Sequence, residues 1–256
     1  MYFPVIGSTN DVAAALANNR TPATEGAVVI ADSQTHGRGR RGHEWFSPPD
    51  AGLYVSVVLR TGRAPAVARD RATKLLTLAA GVALVEAVER ATGLRVDLKW
   101  PNDLYIGRRK LAGILAEAAG TDPQDWVVLG YGINVRAALY PPELGNRATS
   151  LESELGRHVD RSLLLVESLA SLSRRYDDLI EGRFDAILDA WRARAPGSRG
   201  ALVTFTRFTA AAASSTRATT SDAASGLTAG IDDEGALLVL VGDRIERIVA
   251  GEVTWL

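Results

Sequence analysis

Three segments of this chain bring together residue types that could do chemistry. The first is Gly37-Arg38-Gly39-Arg40-Arg41-Gly42, three arginines interleaved with three glycines. Arginine presents a planar fork of donors that matches phosphate or carboxylate, and glycine lets a backbone close over what is held. An anion under a closing loop is one reading. A solvated basic loop and an Arg–Gly segment for RNA are the others, and the lack of interleaved aromatic residues counts against RNA. The second segment is Lys99-Trp100-Pro101-Asn102-Asp103. Proline cannot donate to a strand ladder, so Asn102 and Asp103 stand where the chain leaves a strand. A carboxylate and an amide there could hold a ribose, an amine or a magnesium-bound phosphate. An Asx turn leading into a hairpin is the plainer alternative. The third segment is Arg109-Lys110-Leu111-Ala112-Gly113-Ile114-Leu115. Strand alternation puts Lys110, Ala112, Ile114 and Ala116 on one face and Leu111, Gly113 and Leu115 on the other. A lysine opening an apolar face is either a snorkelling surface residue or a buried cation facing an anion.

Lysine is scarce here. Of 29 basic residues only Lys74, Lys99 and Lys110 are lysines, and the rest are arginine. Lysine supplies a compact point charge where arginine supplies a fork, so a lysine kept against this bias is a candidate for a task arginine cannot do. Two of the three fall in the segments above.

Other chemistries are excluded. The chain has no cysteine, which removes thiol nucleophiles, thiolate metal sites and disulfides and suits a reducing compartment. His36, His43 and His158 lack metal-ligand partners, so no metal site is assigned to protein side chains. Neither the phosphate loop of nucleoside triphosphatases nor the serine elbow of hydrolases occurs. A net charge of −1, from 29 basic and 30 acidic residues, argues against a general nucleic-acid or membrane-surface binder. At 256 residues with 46% hydrophobic and 23% charged residues, disordered and fibrous classes are out. No apolar run reaches the ~18 residues of a membrane span, and no secretory signal is visible.

These segments need a scaffold, and the rest of the sequence supplies a readable one. Ser8, Thr9 and Asn10 before an Ala-rich run at 12–16 read as a helix start. Residues 27–31 and 53–59 read as buried strands, with an aperiodic Gly/Arg/Pro loop at 33–50 between them. Helical spacing between 66 and 91 predicts a long helix stopped at Gly93. Residues 96–100 predict a strand, and 104–106 with 111–116 a hairpin around Gly107-Arg108-Arg109. Residues 126–135 predict a strand whose glycines leave one face open to close approach. Leu165, Leu169, Leu172, Tyr176 and Leu179 mark an amphipathic helix, and 184–193 a further one. The order gives an α+β class with a mixed or antiparallel sheet. Past a linker at Pro196-Gly197-Ser198, short strands at 202–208, 227–231, 237–241 and 245–249 predict a small β-barrel. Residues 209–225, almost all Ala, Ser and Thr, read as a low-complexity loop.

Taken in order, Ser8-Thr9-Asn10, Gln34, GRGRRG (37–42), Trp45-Phe46-Ser47-Pro48, KWPNDLY (99–105), RKLAGIL (109–115) and GYGINV (130–135) resemble the biotin protein ligases, which attach biotin to carrier proteins. The resemblance covers residues 7–190 and is weaker beyond. It implies a class II synthetase-like catalytic domain at 1–196, with a mixed sheet and helices, followed by an SH3-like barrel at 197–256. It also implies two steps: the biotin carboxylate attacks the α-phosphorus of ATP with Mg²⁺ present, giving biotinyl-5′-adenylate, and a carrier lysine then displaces AMP. By the same resemblance Ser8, Thr9, Asn10 and Gln34 hold biotin, together with Arg38, Gly39, Arg41, Lys110 and the stretch Gly113, Ile114 and Leu115. The nucleotide falls to Arg38, Arg40 and Arg41 of the closing loop, to Trp45 over the adenine, and to Lys99, Asn102, Asp103, Lys110, Gly132 and Asn134. Lys110, Arg40 and Asp103 are the expected catalytic groups.

The residue types suit that chemistry. Two anions must meet, which calls for fixed positive charge, and an adenylate is prone to hydrolysis, which calls for a lid. The expected partners are ATP, biotin and a biotin carboxyl carrier domain, with the protein a monomer or a weak ligand-dependent homodimer in the cytoplasm. No DNA-reading head fits before Gly7, so operator binding is not expected. Lipoate ligases share the adenylation logic, but no Arg-Arg-x-Gly-Gly-Gly motif occurs.

Overall fold

The computed structural model describes residues 1–18, 24–119, 126–138, 140–207, 222–251 and 253–256. The chain opens with β1 (Tyr2–Ile6), α1 (Thr9–Ala17), β2 (Val28–Gln34) and β3 (Gly52–Leu59), then the long helix α2 (Arg69–Thr92). Strands β4 (Asp97–Lys99), β5 (Asp103–Ile106), β6 (Arg109–Ala119) and β7 (Trp126–Asn134) follow. Helices α3 (Leu151–Leu155), α4 (Arg161–Ile180) and α5 (Phe184–Arg194) come next. The chain ends in β8 (Arg199–Arg207), β9 (Asp222–Ile231), β10 (Leu237–Val241), β11 (Arg244–Ile248) and β12 (Val253–Trp255).

Two apolar strands set the centre. β3 and β7 are buried at every position, so both faces of the sheet must be covered. They pair antiparallel in a seven-stranded sheet of order β1-β2-β3-β7-β6-β5-β4. Among the strand pairs of the described residues, β1 and β2 alone run parallel, with α1 between them in the chain, which makes the sheet mixed. One face packs on α2, whose Leu75, Leu76, Leu84, Val85 and Val88 meet Val55, Leu129, Ile133 and Ile114 in the main core. The other face is only half covered. There α1 seats Ala13 and Ala17 on Val29, Val58, Val128 and Trp126. Beyond that short helix the sheet face is left open, and this is where the cleft forms.

The C-terminal strands make a separate antiparallel sheet of order β11-β10-β9-β8-β12. Its β9–β10 turn docks on the first part: Trp100 Nε1 donates to the Gly235 carbonyl (2.9 Å) and Arg71 Nε to that of Asp233 (2.9 Å). Among the described residues no helix is long and apolar enough to cross a membrane.

The α+β class, the mixed sheet with helices and the small C-terminal β unit agree with the sequence reading. Three details differ. β1 carries no alternating pattern, being an edge strand exposed at three of five positions, and is legible only in the structure. The low-complexity reading reached too far: residues 222–225 lie in β9, where Ala223, Ala224 and Ser225 pair with Thr206, Phe205 and Thr204. Its remainder, up to 221, lies outside the described residues. Third, simple alternation fails in β6. The β5–β6 ladder is bulged, with Leu104 opposite Ala112 but Tyr105 opposite Lys110. Leu111 and Ala112 are both buried in the α2-side core, and Lys110 joins the face of Gly113 and Leu115 rather than that of Ile114. The bulge re-aims the lysine from the core side to the open side.

Candidate active site

On the open face, β7 presents Gly130, Gly132 and Asn134, and β6 presents Gly113 and Leu115 beside them. Gly113 and Gly132 stand directly opposite in register, so the sheet has a patch of bare backbone. Both positions are occupied from above. The Trp45 indole lies across them: a Cβ at Gly132 would fall 2.3 Å from Trp45 Nε1, and one at Gly113 2.9 Å from Trp45 Cζ3. Only glycine permits that approach. Trp45 Nε1 is itself buried with no hydrogen-bond partner. An unmatched buried donor over a backbone floor is what a polar ligand would satisfy.

The cleft over this floor has a volume of about 400 Å³, within the range of small-molecule sites. One end is built by α1 and β2. Ser8 is buried and does not use its hydroxyl to cap α1. The Thr9 backbone N–H donates to Gln34 Oε1 (2.8 Å), and Gln34 Nε2 donates to Ser47 Oγ (2.9 Å). Ser56 Oγ donates to Asn10 Oδ1 (2.6 Å) and Asn10 Nδ2 to Glu117 Oε2 (2.8 Å), so both ends of the Asn10 amide are bonded within the fold. Thr9, Gln34 and Asn10 thus form a fixed polar wall.

The other end carries the charges. Lys110 Nζ lies 2.7 Å from Asp103 Oδ1 and 5.3 Å from the Trp45 ring centroid. Close as that ion pair is, the ammonium is not aligned as a donor, and Asp103 Oδ1 stays buried without a hydrogen bond. The lysine backbone is clamped: its N–H donates to Arg147 O (2.7 Å) and its carbonyl accepts from Thr149 N (3.0 Å). Asn134 Nδ2 in turn donates to Thr149 O (3.0 Å). Arg40 Nη1 donates to Asn102 Oδ1 (3.0 Å), while Asn102 Nδ2 donates to Ile114 O (2.8 Å), tying the loop to β6.

The structure therefore brings Ser8, Thr9, Asn10, Gln34, Gly39, Arg40, Arg41, Trp45, Asn102, Asp103, Lys110, Gly113, Ile114, Leu115, Gly132 and Asn134 around one cleft. Arg38 stands at its edge, where it pairs with Asp11 (2.6 Å) and Glu117. Lys99 also lines the cleft, on the side where the C-terminal sheet meets it, its ammonium 4.9 Å from the Tyr105 ring and 5.3 Å from that of Trp255. Ser56, Glu117 and Thr149 hold the site residues in place yet escaped the sequence reading, since single residues remote in the chain carry no spacing signal.

Comparison with known proteins gives this arrangement a context. The profile of the biotin/lipoate A/B protein ligase family matches residues 2–134, and that of the biotin protein ligase C-terminal domain matches residues 215–254. The chain belongs to the biotin/lipoate A/B protein ligase family. Among relatives, a bifunctional ligase/repressor BirA of Bacillus subtilis is 36% identical over 99% of this chain and 73% of its own length. A biotin–[acetyl-CoA-carboxylase] ligase of Paracoccus denitrificans is 33% identical over 96% of both chains. A biotin protein ligase from Aquifex aeolicus, solved with biotin and ATP, superposes over 100% of this chain and 97% of its own with a TM-score of 0.79 at 27% identity. For a ligase of this family, a glycine floor flanked by a polar wall at one end and charges at the other is a groove for an elongated, two-part ligand.

Proposed function

We propose that the protein is a biotin–protein ligase that makes biotinyl-5′-adenylate and passes the biotinyl group to a lysine of a biotin carboxyl carrier domain. The observation that carries this reading is the position of Lys110. Its ammonium stands at the charged end of the cleft, 2.7 Å from Asp103 Oδ1 and beside the backbone floor at Gly113. Biotin lies along the polar wall with its carboxylate toward Lys110, and the nucleotide lies toward Arg40, Asn102 and the Trp45 indole that covers the glycine floor. A carboxylate oxygen attacks the α-phosphorus, the bond to the bridging oxygen breaks, and pyrophosphate leaves. Lys110 stabilises the charge shared between carboxylate and α-phosphate. In the second step the neutral amine of the carrier lysine attacks the acyl carbon and AMP leaves, with Asp103 the nearest carboxylate to take the proton.

Magnesium, when bound, would offset the charge of the ATP phosphates, and Asp103 is the cleft carboxylate nearest Lys110 that could help hold it. Among the described residues no cluster of three or more acidic or histidine side chains could cage a metal. The carboxylates lining the cleft are Glu44 and Asp103, and Asp103 Oδ1 lacks an aligned donor. One or two carboxylates plus phosphates is the donor set Mg²⁺ favours. We keep the division into a catalytic part at 1–196 and a C-terminal part at 197–256. We read the chain as cytoplasmic and as a monomer or weak ligand-dependent homodimer. It is read as a ligase without operator binding, because a net charge of −1 gives no electrostatic footprint for DNA.

The deciding experiment is pyrophosphate release with biotin and ATP, followed by mass analysis of an added carrier domain. Release with biotin and not lipoate is expected; the reverse preference overturns the reading. A second result is expected in the loop at 36–48. Arg38 already pairs with Asp11 and Glu117 and Arg40 donates to Asn102, and a bound anion adds charge-assisted contacts to this loop, so amide exchange there slows sharply when biotin and ATP are added. Equal exchange with and without them removes the loop from the mechanism.

A further inference from the structure

The outward face of the C-terminal sheet carries an aligned apolar row that the reaction chemistry does not use. Leu202 of β8 is directly opposite Leu227 of β9, Leu227 opposite Leu240 of β10, and Leu240 opposite Ile245 of β11. On the other flank Leu256, next to Trp255 of β12, donates its N–H to the Leu202 carbonyl (3.0 Å). One residue from each of β8, β9, β10 and β11, with Leu256 just past β12, thus forms a line about 19 Å long, four strand spacings. These residues are 39% (Leu240) to 63% (Ile245) exposed, whereas their neighbours Val203, Val239 and Ile248 fill the interior. Single exposed leucines need no explanation; a register-aligned row crossing a whole sheet does.

We infer that this row docks the acceptor protein, seating an apolar face of a folded domain beside the lysine it delivers. The row is continuous with the cleft. Thr254 lines the cleft and pairs with Thr204, and by alternation Thr254 and Leu256 share one face of β12. The apolar line therefore starts two residues, about 7 Å, from the cleft wall. On the opposite face Trp255 packs near Tyr105 and Lys99, and Arg108 Nη2 donates to the Leu256 carbonyl (2.8 Å), so the row is anchored to the strands that form the site. A macromolecule reaching into the cleft from this side meets the row first. The inference rests on the ligase reading, because an acceptor protein is what that reaction requires.

The test is the triple variant Leu202→Thr/Leu227→Thr/Leu240→Thr, which keeps β-forming residues at exposed sites. Biotin-dependent pyrophosphate release is expected to be unchanged, as is capture of the adenylate by hydroxylamine, a nucleophile that needs no docking. The KM for the intact carrier domain is expected to rise at least tenfold. Should the triple fold poorly, Leu227→Thr alone, at the centre of the row, is expected to raise that KM about threefold. A carrier KM within twofold of wild type overturns the inference, as does an equal loss with hydroxylamine, which would put the defect in the cleft. A wild-type dimer dispersed by the triple variant with carrier KM unchanged assigns the row to a second copy of the chain and overturns it too. Wild-type protein that releases no pyrophosphate would instead sink the ligase reading itself.

Discussion

Replacing Lys110 with alanine is expected to slow adenylate formation by about 10²–10³, the loss typical of one preorganised donor to a developing oxyanion. The ammonium faces the cleft only because the β5–β6 bulge turns it there, and the backbone contacts with Arg147 and Thr149 hold the turn. Those contacts use main-chain atoms, so they survive the substitution and the fold stays intact. What is lost is a point charge in a partly desolvated site, present before the reaction and favouring the transition state over separated substrates. Lys110→Arg should not restore the rate: the Gly113 Cα already lies under the lysine end, where a Cβ would sit 3.3 Å from Nζ, and a planar fork has no room over it. Lys74→Ala is the comparison. Lys74 pairs with Asp70 (2.6 Å) and, across to the C-terminal sheet, with Glu234 (3.4 Å), both exposed pairs that leave the rate unchanged when removed. Single-turnover pyrophosphate release reads all three. If Lys110→Ala keeps more than about a third of the wild-type rate, less than ~1 kcal/mol is at stake and the arginine loop carries the charge alone.

How far the sequence could be read follows from what each element is made of. β3 and β7 are unbroken apolar runs and α2 is 24 residues long, so each shows itself within its own span. β1 is short and an edge, and α3 is five residues long; neither has a period to detect. The candidate site was legible because its residues lie in contiguous motifs, each a loop or strand end that one stretch of chain can build. The glycines of 126–135 were read as a face for close approach, and Asn10 and Trp45 make that approach. Two things needed three dimensions. The bulge that re-aims Lys110 depends on how two strands pair. The supports, Ser56 under Asn10, Glu117 beyond it and Thr149 behind Lys110, depend on which strands and loops become neighbours. Physical roles set by local chemistry were visible; roles set by register were not.

The wall formed by Asn10 gives the second large effect. Gly130 faces the cleft next to Gly132, and a Cβ there would fall 2.0 Å from Asn10 Oδ1 and 2.9 Å from Asn10 Cγ. Asn10 is buried and cannot swing into solvent. Gly130→Ala must therefore evict the amide, breaking the bonds from Ser56 and to Glu117. Overpacking costs about 1–3 kcal/mol and a stranded buried polar group about 1–3 kcal/mol, which together lower stability by roughly 2–6 kcal/mol. At about 2–4 °C per kcal/mol for a chain of this size, the melting temperature should fall by roughly 4–24 °C. Because Asn10 sits in the first turn of α1, its displacement also moves Ser8 and Thr9, and biotin binding weakens with the fold. The clash has a specific partner, so it has a specific remedy. Asn10→Ala alone loses the same bonds without the clash. The double variant, in which the new methyl group enters the space the amide vacated, should be more stable than the sum of the single losses by at least ~1 kcal/mol. Denaturant unfolding of the four proteins, with biotin titrated into each, measures both quantities. Strictly additive losses would mean that Gly130 is not glycine for the sake of Asn10, and that the polar wall tolerates a side chain beneath it.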